Sequence, residues 1–547
     1  MNKYKFILSI VLTLSCLFST AQVTKRSRPE GWNQLVEGAR FMDRFLPMPN
    51  QDGMTSNTWG ADAVIPRDIN NGIEDPKWSY WGGNARLQDD GKYHLFVCRW
   101  SESSPRGHMA WPGSTVVHTV ADHSPGPYRV VEEIGKGHNP EWYVTADNKY
   151  VVSVIGKYYV SEYVNGPWEC KKFDFDRRDR QIIDGLSNLT FAQREDGSFV
   201  MICRGGGVWI SQDGLSSWNQ ITDASVYPPV DGRFEDPLIW KTNVQYHLIV
   251  NDWLGRIAWH LRSKDGINWK TEAGEAYLPG IAVHQDGTKE DWFKYERMKV
   301  VQDEYGRAFQ ANFAVIDTLK KHDRKNDHHN SKNISIPLTV GKLMRVLNTE
   351  KITENTQEIK VRIQAEKGFN PYDDIDFNSL RFGASEAVNF GGGSKVKSFK
   401  QEGDDVIISF YGKNNGLTDE HFAAKLLGRN QQGDLLFAYS KLPGVAYIEA
   451  ALSARKPVFN HQGTELNILI ENFGQVSSNI SSIHIYKIMK ERKELIAKAT
   501  VPAIKPYESV KLNIQTLAPQ HKTKKQPYLI LINEGEADMV SFKINDD

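Results

Sequence analysis

Between about residue 75 and residue 318 one pattern recurs five times. Each copy has a polar or acidic residue, often followed by proline, then an apolar stretch, a short polar turn, and a second apolar strand. The copies read IEDPKWSYWGGNARLQDDGKYHLFV, GHNPEWYVTADNKYVVSV, LSNLTFAQREDGSFVMIC, FEDPLIWKTNVQYHLIV and YERMKVVQDEYGRAFQA. Counted at the residue after the turn (Tyr93, Tyr150, Phe199, Tyr246, Ala308), they lie 57, 49, 47 and 62 residues apart. A closing marker follows most copies: HSPGPY ending at Tyr128, NGPW at Trp168, SQDGLSSW at Trp218 and SKDGINW at Trp269. Repeats of roughly 40–50 residues, each able to form a small antiparallel sheet, predict a β-propeller, here with five blades. A propeller brings the start of every innermost strand to one axis. The residues heading the copies are therefore predicted to meet: Asp75, His138 with Asn139, Asn188, Glu235 with Asp236, and Glu296.

The first residues read as a secretory signal: Lys3 and Lys5 precede the apolar run Phe6 to Phe18, and Ser19-Thr20-Ala21 offers a cleavage site. The run is short for a bilayer span, so residues 1–21 are expected to be a signal peptide and the protein periplasmic or secreted. Cys16 raises lipidation as a rival, but the residue three before it is Thr13 rather than an aliphatic one. No later stretch predicts a membrane span. With 67 basic and 67 acidic residues, the chain carries no charge excess that would favour nucleic acid. Cys98, Cys170 and Cys203 lie in or beside apolar strands and read as free thiols rather than a disulfide framework.

Residues 22–348 are assigned to the propeller, with the irregular stretch from 23 to about 70 wrapping it and supplying a closing strand. KKHDRKNDHHNSK (320–332) is expected as a surface loop. After Asn348 the copies stop. IKVRIQA (359–365), DVIISFYG (405–412) and LLFAYSKL (435–442) alternate apolar and polar residues, as do LNILIENFG (466–474), SIHIYKI (482–488), VKLNIQTL (510–517) and PYLILIN (527–533). Such alternation predicts two β-sandwiches, 349–447 and an immunoglobulin-like 448–547. The expected fold is thus all-β: a five-bladed propeller followed by two sandwiches.

Carboxylates head three of the five copies, in Glu74-Asp75-Pro76, Glu235-Asp236-Pro237 and Glu296-Arg297. Acids converging on a water-filled axis suit sugar hydrolysis, in which one protonates the leaving oxygen and another activates water or attacks. Carboxylates there can equally pair with Arg86, Arg204, Arg233 or Arg297 as structural ion pairs. Aromatics such as Trp78 suit stacking on sugar rings. Histidines are concentrated in the first two copies. His94 and His247 share a place in a Tyr-His-Leu strand and read as structural, whereas His108 and His138 lie in Gly- and Pro-rich surroundings and read as functional. His322, His328 and His329 sit in a solvated, charged context, and no metal site is assigned to them.

The acid-Pro strand starts, the D-G-x-Y-H turn and the G-P-W closers resemble the five-bladed propeller glycoside hydrolases of family 43 and its relatives, families 32, 117 and 130. The likeness covers about residues 70–345 and extends to enzymes of marine Bacteroidetes polysaccharide utilisation, ulvan degradation among them. It implies an exported glycosidase acting on algal oligosaccharides, with Asp75 as base and Glu235 as acid. Asp236 and His138 would complete the catalytic group, and Asn139, His108, Arg204, Asn188, Glu296 and Trp78 would bind sugar. The second copy departs from the family: His138-Asn139-Pro140 stands where the acid-tuning Asp belongs, with Glu141 or Asp184 as substitutes. That departure opens a second expectation, a lyase or dehydratase removing the C5 proton of a uronate with His138 or His108 as base and Arg204 as carboxylate partner. A non-catalytic carbohydrate-binding protein is the third. No cofactor is expected, the open alternative being a structural divalent cation on the axis.

Overall fold

The computed structural model describes residues 25–50, 53–180, 183, 185–489, 492–520, 527–533 and 540–544. The expected signal segment with Cys16, and Asp184, lie outside them. Nearly all regular structure is β, and among the described residues no helix is long and apolar enough to cross a membrane.

Five sheets follow one another along the chain, antiparallel except where Phe175–Asp176 pairs in parallel with Trp218–Gln220 at the edge of the third. Their first strands are Trp78–Trp81 continued by Ala85–Leu87, then Glu141–Val144, Thr190–Gln193, Phe234–Lys241 and Lys294–Gln302. The first four sheets have at least four strands and the fifth has three. The N-terminal segment adds one bridge to the fifth, Phe45 to Leu338, where Leu46 N donates to Pro337 O at 2.9 Å. It is anchored to the fourth sheet by Arg26 on Asp252 (2.5 Å) and Arg28 on Glu275 (2.6 Å).

The inner strands of these sheets are buried on both faces, Tyr246–Asp252 along its whole length, because the sheets stack face to face, while outer strands such as Arg129–Lys136 and Glu169–Lys171 are largely exposed. Five apolar clusters fill the spaces between them. Trp81, Phe96, Trp142 and Val152 lie between the first and second sheets, and Tyr143, Val151, Phe191 and Phe199 between the second and third. Val200 and Ile202 meet Leu248 and Val250 between the third and fourth, and Trp240 and Ile249 meet Tyr295 and Phe313 between the fourth and fifth. Tyr80, Leu95 and Val97 then meet Val301, which returns the fifth sheet to the first. Each cluster removes several large side chains from water, at roughly 1.5–3 kcal/mol apiece.

Two of the closing markers, SQDGLSSW and SKDGINW, are turns held by their own aspartates. Asp213 Oδ1 accepts from Leu215 N (2.8 Å) and Ser216 N (2.7 Å), and Asp265 Oδ1 repeats this with Ile267 N and Asn268 N, both at 2.8 Å. A side chain that satisfies its own turn is the reason this composition recurs.

Beyond the five sheets, one seven-stranded sheet runs in the order 375–383, 423–430, 435–441, 342–346, 358–363, 405–411, 396–402. It curls around a single core that includes Ile359, Leu380, Ile408 and Leu426. This replaces the first expected sandwich. Lys342–Val346, assigned by sequence to the segment before residue 349, pairs with Leu435–Lys441 and Glu358–Ile363 and so joins the two halves of this sheet. Its alternation resembles that of any half-buried strand, and sequence offers nothing to reveal its partner. The last segment forms two four-stranded sheets packed on one core with Leu466, Ile468, Ile483, Ile485 and Ile496. This pair docks on the third of the five sheets through Arg178, whose Nε donates to Ser453 Oγ at 2.8 Å.

Candidate active site

One backbone feature recurs at the start of every first strand: a residue in the left-handed region, namely Gly82 (φ 71°), Asn139 (55°), Asn188 (50°), Asp236 (55°) and Arg297 (52°). Gly, Asn and Asp tolerate this conformation; for arginine it is strained and requires compensation. Compensation is visible in the contacts. Asn139 Nδ2 donates to Asn188 Oδ1 (2.7 Å), and Asn188 Nδ2 donates to Asp236 Oδ1 (2.9 Å). Arg297 Nη1 donates to Asp236 Oδ1 and Nη2 to Asn139 O, both at 3.3 Å. Gly82 packs beside Arg297 and Asn139, where an added Cβ would lie 3.5 Å from Arg297 Nε. The five positions thus form a closed ring.

The residues before the ring positions are Trp81, His138, Ser187, Glu235 and Glu296, and Lys320 links four of them: its Nζ reaches Glu296 and the Trp81 ring, and its charge acts on His138 and Glu235. Asp75, expected at the head of the first strand, is displaced from this set. It lies in a turn seven residues before Gly82, where Oδ1 accepts from Lys77 N (2.8 Å) and Oδ2 from Tyr80 Oη (2.5 Å). Trp78 stands near it, with the Arg99 guanidinium 4.2 Å from its ring centre. Trp81-Gly82 occupies the place expected for Glu74-Asp75.

Of the three carboxylates at the ring, two are closed off. Asp236 is 3% exposed at its side chain and Glu296 is 2%. Burial alone would raise Glu296, but Lys320 at 2.5 Å and Lys294 at 3.1 Å outweigh it and hold the group at about 2. Burial raises Asp236 as well, against the attraction of Arg297. Glu235 is the open one, with 24% exposure and half-exposed Arg204 at 3.4 Å. Burial, then the neighbouring Asp236, pushes Glu235 up to about 7. A carboxyl that still holds its proton near neutrality is suited to act as an acid.

His138 is held in place by two contacts at Nδ1. Ser114 Oγ has one hydrogen and donates it to Trp111 O (2.7 Å) or Gly137 O (2.9 Å), while lying 3.1 Å from His138 Nδ1. Cys98, whose thiol burial pushes up to about 12, donates to Trp81 O at 3.1 Å and lies 3.4 Å from the same Nδ1. Both neighbours therefore accept from Nδ1–H, which leaves Nε2 with its lone pair. Burial, then Lys320 and Arg297, keeps the imidazole neutral by lowering it well below the ordinary histidine value.

His108 is placed differently from expectation. It is 1% exposed, edge-on to Trp81 (4.7 Å) and Trp100 (4.9 Å), with Nδ1 2.9 Å from Ser331 Oγ. It fills the core behind the ring. His94 bonds His118 (2.8 Å) just as His247 bonds His260 (3.0 Å), a structural pair repeated in two sheets. Glu141 lies below the ring in an ion pair with Lys299, and its Oε1 accepts from Thr190 Oγ1 at 2.8 Å.

Sequence reasoning missed Lys320, Lys294, Trp81 and Ser114. The 320–332 stretch is largely the exposed loop expected, with Lys321, His322, Arg324, Lys325, Asn326 and His328 at the surface, but several of its side chains turn inward. Lys320 Nζ reaches Glu296 and stands 4.7 Å from the centre of the Trp81 ring, and Asp323 and Asn330 are buried. Among the described residues no group of three or more His, Cys, Asp or Glu is arranged to hold a metal, and the ring's own positive charge is Arg297.

No family model matches this chain, and no curated protein is similar to it. Among solved structures it is similar to β-glucosidase 3B from Thermotoga neapolitana in complex with glucose, at 21% identity and TM-score 0.12 over 18% of this chain and 16% of that one. It is also similar to a β-glucosidase involved in saponin metabolism from intestinal bacteria, at 14% identity and TM-score 0.13 over 28% and 20%. The chain therefore spans a fifth or less of the length of either. At TM-scores this low the likeness assigns neither fold nor activity.

Proposed function

We propose that the five sheets are the blades of a propeller and that its axis carries a carbohydrate-active site working on an acidic sugar by elimination. His138 Nε2 takes the proton from the carbon beside the carboxylate. The electron pair of that C–H bond forms the new C=C bond, and the β-oxygen leaves with the proton of Glu235. It departs as water in a dehydration, or as a sugar hydroxyl where a chain is cut. Lys320 and Arg204 flank Glu235 and offer positive charge to the substrate carboxylate, where developing negative charge needs it. The observation that carries this reading is the Ser114 contact, which leaves a neutral imidazole with a free lone pair on the same ring of positions as a protonated carboxyl.

Hydrolysis is the second reading. The raised Glu235 is equally what a glycosidase acid requires, with Asp75 as the base. His138→Ala abolishes turnover under elimination, and Asp75→Asn only weakens it; under hydrolysis the order reverses. If neither change lowers turnover of acidic oligosaccharides, the site is misassigned. Export through residues 1–21, an algal polysaccharide as source, and a supporting role for the C-terminal sheets complete the proposal.

A further inference from the structure

The ring divides the axis. On the side opposite Glu235, at the C-terminal ends of the five first strands, lies a cavity of about 590 Å³. That volume falls within the roughly 300–1,000 Å³ typical of small-molecule sites. Leu87, Val144, Gln193, Lys241 and Gln302, the last residues of those strands, all line it. Its walls combine aromatic faces (Tyr143, Phe191, Trp240) with three cations, Arg86, Lys241 and Lys299, and three carboxylates, Glu141, Asp303 and Glu304.

Two of the three cations are committed. Lys299 pairs with Glu141 and also donates to Pro237 O at 3.2 Å. Lys241 pairs with Glu195 at 2.9 Å. Arg86 is not. Its guanidinium carbon sits 5.4 Å from the centre of the Trp142 ring, and it makes no hydrogen bond or ion pair among the described residues. Burial lowers its affinity for the proton, with Glu141 opposing. A guanidinium has five donors in a planar fork that matches an oxyanion at two points. The carboxylate that acts on Arg86, Glu141, is already ion-paired with Lys299, and a partly buried charge without an ion pair of its own costs free energy that a bound anion would relieve.

We propose that this cavity is a second binding site, for a carboxylate-bearing molecule the size of one sugar acid, with Arg86 as its anchor. The aromatic walls would take the ring faces and Arg86 the carboxylate. The inference is independent of the chemistry assigned to His138 and Glu235.

Calorimetric titration with free glucuronate tests it. The background is the Lys320→Ala/Arg204→Ala double variant, which removes the cations of the opposite mouth. The proposal expects saturable binding there and none of glucose, with affinity falling at least about fivefold on adding Arg86→Gln or Arg86→Lys. The lysine variant keeps a cation over Trp142, so it decides the matter if the glutamine variant does not fold. Sulfate that competes shows that the oxyanion suffices; sulfate that does not compete shows that the sugar frame is also read, and either result supports the site. No binding in the double variant, equal binding of glucose, or a smaller loss on changing Arg86 overturns the proposal.

Discussion

Ser114 Oγ lies 3.1 Å from His138 Nδ1 with its own hydrogen already given to a backbone carbonyl, so it accepts from the imidazole and fixes where the histidine proton sits. Ser114→Ala removes that acceptor. The expected result is a mixture of His138 tautomers by nitrogen NMR, kcat lower by about tenfold with KM little changed, and a stability cost of about 1 kcal/mol. An unchanged tautomer would show that another contact sets it.

Glu235 governs the pH response. Glu235→Gln is expected to lower kcat by about 10²–10⁴-fold. In the wild type, kcat/KM should fall as pH rises through about 7, the value to which burial and Asp236 push the carboxyl. Stability follows the same group. Its folded pKa lies above its unfolded one, so its ionisation destabilises the fold above about 7, and the penalty is relieved as pH falls from there towards 4.5. Denaturation of Glu235→Gln against wild type across that window should show the variant gaining on the order of 1–3 kcal/mol at pH 8 and nothing at pH 4.

Lys320 holds Glu296 at about 2 with help from Lys294, so the stabilisation from Glu296 is full above about 4.5 and is lost as pH falls towards 2. Without Lys320 the Glu296 value rises from about 2, so the stabilisation it contributes above about 4.5 shrinks, visible as a lower denaturation midpoint at neutral pH. In parallel, Lys320→Ala should raise KM for an acidic oligosaccharide several-fold and leave binding of a neutral one unaltered.

Lys299 and Glu141 form an ion pair buried below the ring. Lys299→Met leaves the Glu141 carboxylate uncompensated and should cost about 3–5 kcal/mol in thermal denaturation. Adding Glu141→Gln should recover most of that loss. Additive losses would mean that the two residues do not act as a pair.

Much of the architecture was legible because a repeating sheet must repeat its turns. The five copies, their turns and the closing markers, two of them Asp-capped, fall between and within the strands. The first strand was misread because Asp75-Pro76 copies the composition of Asp236-Pro237 without its spacing. Gly82, Asn139, Asn188 and Arg297 each stand 11 residues before Tyr93, Tyr150, Phe199 and Ala308, and Asp236 stands 10 before Tyr246, whereas Asp75 stands 18 before Tyr93. Spacing, set by strand length, was the stronger signal. Lys320 and Ser114 were illegible for another reason: one reaches the ring from an insertion, the other from the link between Gly107–Gly113 and the strand Thr115–Ala121. Neither placement leaves a local pattern. The curled seven-stranded sheet was hidden likewise, since alternation reveals a strand but not its partner.

The most direct test of the central claim is a mass balance. Purified protein is incubated with uronate-containing algal oligosaccharides, and products are followed by mass spectrometry and ultraviolet absorbance. Elimination with His138 as base and Glu235 as acid predicts unsaturated products, cleaved without gain of water or lighter by one water, that vanish in His138→Ala. Fragments that together gain one water, with no new absorbance, would contradict it and return the chemistry to Glu235 with Asp75.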